Sequence, residues 1–447
     1  MKKRYTICLI TILLLLNLSG CRTAFFSKKA DTNVENAEKT TVVFKTWNPT
    51  DFGPDSPIHG IIESFEQQYP NIDIQYEYID SRNYIKQIKV ELMGGEGADV
   101  YGMQTGENYK AFRDYEEELT SYCRRYWGDN WETHFVEMAM EQLKSEEGIY
   151  GIPLGISYAG SAWADVNKLN AYGLSIPNSY SALKEAAKVL RENQEMPLAI
   201  GAADIWINID TWMSIAADIN AEKLYAALQN EGSFCEEEIV ESFRIWQNCF
   251  KEGIFQDNAY EMTLYNDVNN LFQKEGKIPL MLNGSWALNM FTLSDMQTRE
   301  VFDDKEADHQ VFAIDWNEDG ICNSILVSTD VTLCLNKESK VKEEAFLFMQ
   351  YLVDEGQKIL VNDYMEYMPS TEDMSLAVEN ISPNGEECLE TVQKFSETAV
   401  GMRGIEDVVY HDALADVLER LARFEIEPQE AARLMEEVVL AHENGQK

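Results

Sequence analysis

Residues 41–103 alternate strand and helix patterns, and this alternation constrains the fold more than any other feature of the chain. Residues 41–47 (TVVFKTW) are rich in β-branched and aromatic side chains and read as a strand. After a loop with two prolines, Ile58, Ile61, Ile62 and Phe65 recur on one face, as in an amphipathic helix that Tyr69-Pro70-Asn71 ends. Residues 72–78 (IDIQYEY) alternate as a strand should. A helix over 83–93 stops at Gly94-Gly95, and a short strand covers 98–103. Strand, helix, strand, helix, strand predicts an α/β fold with a parallel sheet and right-handed crossovers. Sites in such sheets lie beyond the carboxyl ends of the strands, here Trp47-Asn48 and Gln104-Thr105.

A chain of 447 residues is long for one domain and comfortable for two. Its formal net charge of −40 repels phosphate backbones, which excludes nucleic acid as a partner and favours a neutral or cationic ligand.

The N-terminus predicts where the chain works. Lys2, Lys3 and Arg4 precede an apolar stretch over 7–18 that is too short to span a bilayer. Leu18-Ser19-Gly20-Cys21 then resembles the bacterial lipobox, so residues 1–20 read as a lipoprotein signal peptide and Cys21 as the lipidated residue. Polar residues over 21–40 read as a flexible tether that holds the body to the extracellular side of the cell membrane. Six further cysteines (Cys123, Cys235, Cys249, Cys322, Cys334 and Cys388) show no CxxC pair, and their pairing stays open.

Four segments in order carry a family resemblance. GIYGIPLGISYAG (148–160) resembles the G-x-Y-G-(I/V)-P stretch of the sugar-binding group of extracellular solute-binding proteins. Residues 163–190 follow the same group, with Asn167-Lys168, Tyr172-Gly173-Leu174, Pro177 and a helix bearing Leu183, Ala186, Ala187 and Leu190 on one face. FQKEGKIPLMLNGSWAL (272–288) is similar to F-x-x-G-K-x-A-M-x-x-N-G-x-W, departing from it at Pro279-Leu280. Residues 343–369 supply the late helix and second crossing through Glu344-Ala345, Phe348 and Met368-Pro369. The resemblance implies a two-lobe, type II periplasmic-binding-protein-like fold with several hinge crossings and a ligand cleft between the lobes. It places lobe one at 41–153 and 316–363, and lobe two at 154–315 and 364–447. It further implies a monomeric receptor that closes on a carbohydrate, an oligosaccharide in preference to a single sugar, and hands it to the permease subunits of an ABC transporter.

Flat aromatic rings suit the apolar faces of sugars, and Asp, Asn and Gln suit their hydroxyl rims. Trp47 and Trp286 follow strand ends, and Trp206 and Trp212 lie in a run that reads as loop (GAADIWINIDTW); these are the expected platforms. Asn48, Gln104, Asp204, Asp330 and Tyr158 are the expected polar contacts, with Asp210 a further candidate. Trp163, Trp246 and Trp316 read as core, Trp246 sharing a helix stripe with Ile239, Phe243 and Phe250.

Enzymatic readings find no anchor. Gly284-Ser285-Trp286 lacks the nucleophile-elbow flanks, Gly94-Gly95-Glu96-Gly97 lacks a phosphate-loop ending, and His59, His134, His309, His411 and His442 are scattered. Asp315–Gly320 resembles the start of a calcium loop, but Leu326 stands where its bidentate Glu belongs, so a polar turn is expected. The chain therefore reads as a binder with no catalytic residues, no cofactor and no metal. The alternatives are a sensing or adhesive lipoprotein without a permease, and a binder of an amino acid derivative or polyamine.

Overall fold

The structure, a computed structural model, describes residues 39–48, 56–291, 308–378 and 381–446. The signal peptide, Cys21 and all of the tether but its last two residues lie outside the described residues.

The predicted alternation is present. Strands Thr40–Thr46, Ile72–Tyr78 and Val100–Met103 are separated by helices Pro57–Gln68 and Ser81–Gly94. Pro57 opens its helix at a position where no backbone donor is needed. The central strand pairs in parallel with both neighbours, setting Phe44 beside Tyr76 and Val100. Two later strands complete this five-stranded sheet: Leu326–Leu335 runs antiparallel beside Val100–Met103, and Gly151–Ala159 forms the far edge. The smaller sheet runs in the order His309–Ala313, Ser161–Asp165, Leu280–Leu282, Leu198–Ala199.

Each sheet has its own core, which makes the fold two-lobed α/β. Val42, Phe44, Phe65, Val100, Leu333 and Phe348 fill the first. Trp163, Leu183, Trp246, Leu280 and Phe312 belong to the second. Helix Tyr180–Glu192 buries Leu183, Ala186, Ala187 and Leu190, and Ser179 caps it by accepting from the Ala182 N–H. The C-terminal helices Val408–Ala422 and Pro428–Gln446 join the second core, where Trp246 donates to the Leu418 carbonyl at 2.9 Å.

The chain changes sheets at Gly160, between strands Gly151–Ala159 and Ser161–Asp165. Residues 154–159, assigned from sequence to lobe two, thus sit in the larger sheet. Gly160 has φ +88°, and a Cβ there would lie 2.0 Å from the Ser324 carbonyl oxygen, so glycine is required at the crossing. The chain returns between Ala313 and Leu326 through the turn around residue 316, where the Asp218 carboxylate accepts from the N–H groups of Trp316, Asn317 and Asn323. That turn is organised from helix Ile205–Leu228, on which Asp218 sits.

Among the described residues the six body cysteines form no disulfide; Cys235 is exposed, Cys322 half-buried and the other four buried. Among the described residues no helix is long and apolar enough to cross a membrane.

Candidate functional site

The site forms where the larger sheet ends and the second lobe begins. Asp330 owes its position to a break in strand pairing. Thr329 pairs with Ile156 and Val331 with Gly155, leaving Asp330 as an extra residue between them. Such a bulge re-aims a side chain. Asp330 Oδ1 accepts from Gln104 Nε2 at 3.3 Å and from the Arg403 guanidinium at 3.4 Å.

Arg403 is the centre of the site, and sequence reasoning missed it. Its Nε donates to Asp210 Oδ2 at 2.8 Å, and one terminal nitrogen donates to Ser157 Oγ at 3.3 Å. The guanidinium lies 4.7 Å from the Trp286 ring centroid and 5.4 Å from that of Trp206, within cation–π range of both. The two indoles meet edge to face at 5.8 Å, and Tyr265 lies 6.2 Å from Trp206. Arg403 is held by local backbone pairing: its N–H donates to the Val327 carbonyl, while Val327 N–H donates to that of Gly401. Trp286 folds back over Gly284, where a Cβ would come 2.1 Å from the ring, so glycine is needed there as well.

The electrostatics follow from burial. Desolvation lifts the Asp210 carboxyl above its ordinary range, with Arg403 pulling the other way. Burial works against the charge on Arg403, yet Asp210 and Asp330 outweigh it and hold the guanidinium above the usual arginine value. Arg403 therefore stays charged, with the Asp330 and Asp210 carboxylates bracketing it. Burial pushes the Glu366 carboxyl up to about 7, with Asp330 adding to the rise. Burial also raises the Tyr265 hydroxyl; Asp330, Glu366 and Asp204 add to this, and Arg403 opposes it.

Of the residues expected from sequence, Gln104, Asp330, Trp206 and Trp286 converge on Arg403. Asn48 joins from the first strand end, where its side-chain oxygen accepts from the Tyr367 hydroxyl at 2.6 Å. Asp204 precedes the helix bearing Trp206 and accepts from the Leu264 N–H at 2.8 Å, bracing the Tyr265 segment. Trp47 is half-buried and packs on Tyr84, with centroids 4.8 Å apart, on the first-lobe side. The facing partner of Trp286 is thus Trp206.

Two expected contacts are corrected. Trp212 is fully buried and stacks on Phe243 at 4.8 Å, because residues 205–212 are not loop but the first turns of helix Ile205–Leu228. Tyr158 is 5% exposed, edge-on to Phe395 at 6.2 Å, and its hydroxyl is pushed up to about 12 by burial. Both serve the second core. Trp163, Trp246 and Trp316 are core residues, as expected.

A recess of about 60 Å³ beside Arg403 is lined by Gln104, Asn108, Trp206, Asp210, Ser328 and His411, among others. It is far smaller than the ~300 Å³ and upward of pockets that enclose organic ligands. Its chemistry is aromatic faces, a shared guanidinium and a ring of amide, hydroxyl and carboxyl groups.

The sequence signature of bacterial extracellular solute-binding proteins matches residues 50–359. Among solved structures, one from work on xylan utilization by the thermophilic bacterium Caldanaerobius polysaccharolyticus is 18% identical with a TM-score of 0.76, covering 89% of this chain and 99% of that one. A chitin oligosaccharide binding protein is 14% identical with a TM-score of 0.72, covering 90% and 100%. An ABC substrate-binding protein from Listeria monocytogenes in complex with cycloalternan is 18% identical with a TM-score of 0.72, covering 91% and 99%. No curated protein matches the chain. The two-lobed architecture, its agreement with these structures over nearly their whole length, and a signature spanning most of the chain have one reading: this chain belongs to the bacterial extracellular solute-binding protein family.

Proposed function

We propose that this protein captures a carbohydrate, an oligosaccharide in preference to a single sugar, and delivers it to an ABC importer. In this reading Cys21 carries the lipid that anchors a monomeric body to the outer face of the cell membrane. The observation that carries the carbohydrate reading is the pair of indoles, Trp206 and Trp286, with Tyr265 beside them and Gln104, Asn48, Asp330 and Arg403 around. Rings of this kind stack on the apolar faces of pyranoses, while the polar groups bond their hydroxyls. The named ligands of the structural relatives, chitin oligosaccharide and cycloalternan, are of that class.

The small recess supports capture by motion. A sugar enters an open form, and lobe closure about the Gly160 crossing then encloses it; the ligand shifts this equilibrium by its differential affinity for the closed form. The test is a thermal-shift screen of the purified chain against xylo-, malto-, chito- and cyclic oligosaccharides, amino acids and polyamines. A true ligand at 100 times its Kd stabilises by about 2.7 kcal/mol. Stabilisation by amino acids or polyamines with none by any sugar would overturn the carbohydrate reading.

A further inference from the structure

Beside the recess that Arg403 lines, a short helix of the first lobe, Glu107–Ala111, comes up against the start of helix Val408–Ala422 in the second. Tyr109 fixes the short helix in the first core, and Tyr410 and Leu414 fix the long one in the second. Three contacts join the two segments. A Cβ on Gly106 would lie 3.3 Å from the Ile405 carbonyl oxygen, so the backbones approach closely. Lys110 Nζ lies 2.6 Å from Glu406 Oε2, and His411 Nε2 lies 4.0 Å from Glu107 Oε1. Glu107 and His411 both line the recess, along with Gln104, Trp206 and Asp210.

The two ion pairs differ in what they can do. Lys110 and Glu406 are largely exposed, and a pair so well solvated contributes little. His411 and Glu107 are 22% and 18% exposed, and an imidazole changes its charge in the physiological range. Both ring nitrogens of His411 face carboxylates. Nδ1 lies 3.2 Å from Asp412 Oδ1 on its own helix, and Nε2 faces Glu107 in the other lobe. A neutral imidazole carries one N–H and serves one of the two; an imidazolium serves both. Glu107 is held in place, since its Oε1 accepts from Asn108 Nδ2 at 2.9 Å. Burial lifts the Glu107 carboxyl, and His411 pulls it back. The other charged groups lining the recess, Asp210 and Arg403, are paired with each other at 2.8 Å. From helix Pro428–Gln446, His442 pairs with Asp407 at 3.0 Å, a contact that stays within the second lobe.

Resting on the reading of capture by lobe closure, we infer that His411 is a positioning residue for ligand capture: as an imidazolium it ties Glu107 of the first lobe to the second, so that closure takes up a proton. Opening the lobes draws Glu107 away and leaves the ring with the exposed Asp412. The closed form therefore holds the proton more tightly than the open one. By linkage, lowering the pH through the range in which imidazoles titrate favours closure and tightens ligand binding.

The experiment is titration calorimetry of the full chain in mild detergent, with xylotetraose, maltotetraose and chitotetraose as probes. Runs at pH 5.5 and 8 give the affinities, and runs at pH 7 in two buffers of different ionisation enthalpy count protons. A sugar that binds should do so roughly 3- to 10-fold more tightly at pH 5.5, between the worth of a solvated ion pair and that of a buried one. It should also take up a fraction of a proton at pH 7. His411→Gln and Glu107→Gln should each bring the ratio of the two affinities close to one, whereas His442→Gln should leave the ratio as it is. Proton release or no exchange on the wild-type chain overturns the inference even where the variants fail to fold, as does a full pH ratio in His411→Gln; both leave the carbohydrate reading standing. If none of the sugars binds at either pH, the carbohydrate reading fails, and small-angle scattering of the ligand-free chain decides the inference. Its radius of gyration should then be smaller at pH 5.5 than at pH 8 in wild type and not in His411→Gln; an equal radius in wild type overturns it.

Discussion

Removing Arg403 tests whether the site is held together by charge balance. Its guanidinium lies between Asp210 at 2.8 Å and Asp330 at 3.4 Å, and all three side chains are 10% exposed or less. Arg403→Ala leaves two buried carboxylates facing each other without a cation. Breaking a buried pair in this way costs about 3–5 kcal/mol, most of it the penalty on the charges left behind. The loss should depend on pH in a defined direction. Without Arg403, the Asp210 carboxyl, which burial already lifts and Arg403 pulls back, rises further above its unfolded value of about 3.9. A raised carboxyl destabilises the fold as pH rises through that interval, so the penalty is fullest at pH 7 and shrinks as the pH falls toward about 4. Urea unfolding of wild type and variant at pH 7 and pH 5 measures both effects. Adding Asp210→Asn and Asp330→Asn to the variant should recover much of the loss at pH 7. A penalty below about 1 kcal/mol at pH 7, or one of equal size at pH 5, would refute the charge-balance account.

Other parts of the structure make separate predictions. Trp206→Ala should weaken ligand binding by about 2 kcal/mol or more with little change in Tm, because the ring is half-buried at the site, whereas Trp212→Ala should cost about 3–5 kcal/mol of stability; melting and affinity measured on both variants separate the roles. Glu366 has a folded pKa of about 7 against an ordinary value of 4.5, so it draws stability down as pH rises from 4.5 through 7, by about 3 kcal/mol in full; unfolding of Glu366→Gln across pH 5–8 should show a shallower fall. Small-angle scattering should show a smaller radius of gyration with a saturating ligand, and an unchanged radius would count against lobe closure. Cys21→Ala should move the protein from the membrane fraction to the medium or leave it uncleaved, and unchanged fractionation would contradict the lipid anchor.

Local patterns made the scaffold legible, and long-range contacts hid much of the site. The strand expected at 41–47 forms at Thr40–Thr46, and Leu183, Ala186, Ala187 and Leu190 are buried as their spacing predicts. Helix Ile205–Leu228 was unreadable for a physical reason. Residues 207–218 are buried all round, so no polar face exists to give the 3.6-residue period, and its tryptophans read as loop. Asp330 could be nominated as a carboxylate, but the bulge that turns it depends on pairing with a strand more than 150 residues away. Arg403 and Asp210 are 193 residues apart, and nothing in GMRGIED singles out that arginine. Glu366 left a usable signal: it is a lone acid within Tyr364-Met365-Glu366-Tyr367-Met368, and an acid inside so apolar a run marks either a buried charge or a site.

Arg403 lies beyond residue 359, where the family signature stops, while the acids it pairs with, Asp210 and Asp330, lie within it. The candidate site is thus assembled from two stretches of the chain, one inside the signature and one beyond it. The backbone carbonyl of Val327 that receives the Arg403 N–H fixes where the later stretch lies. Any exchange of residues 401–405 therefore has to preserve the pairing with Val327 and supply a cation for Asp210 and Asp330.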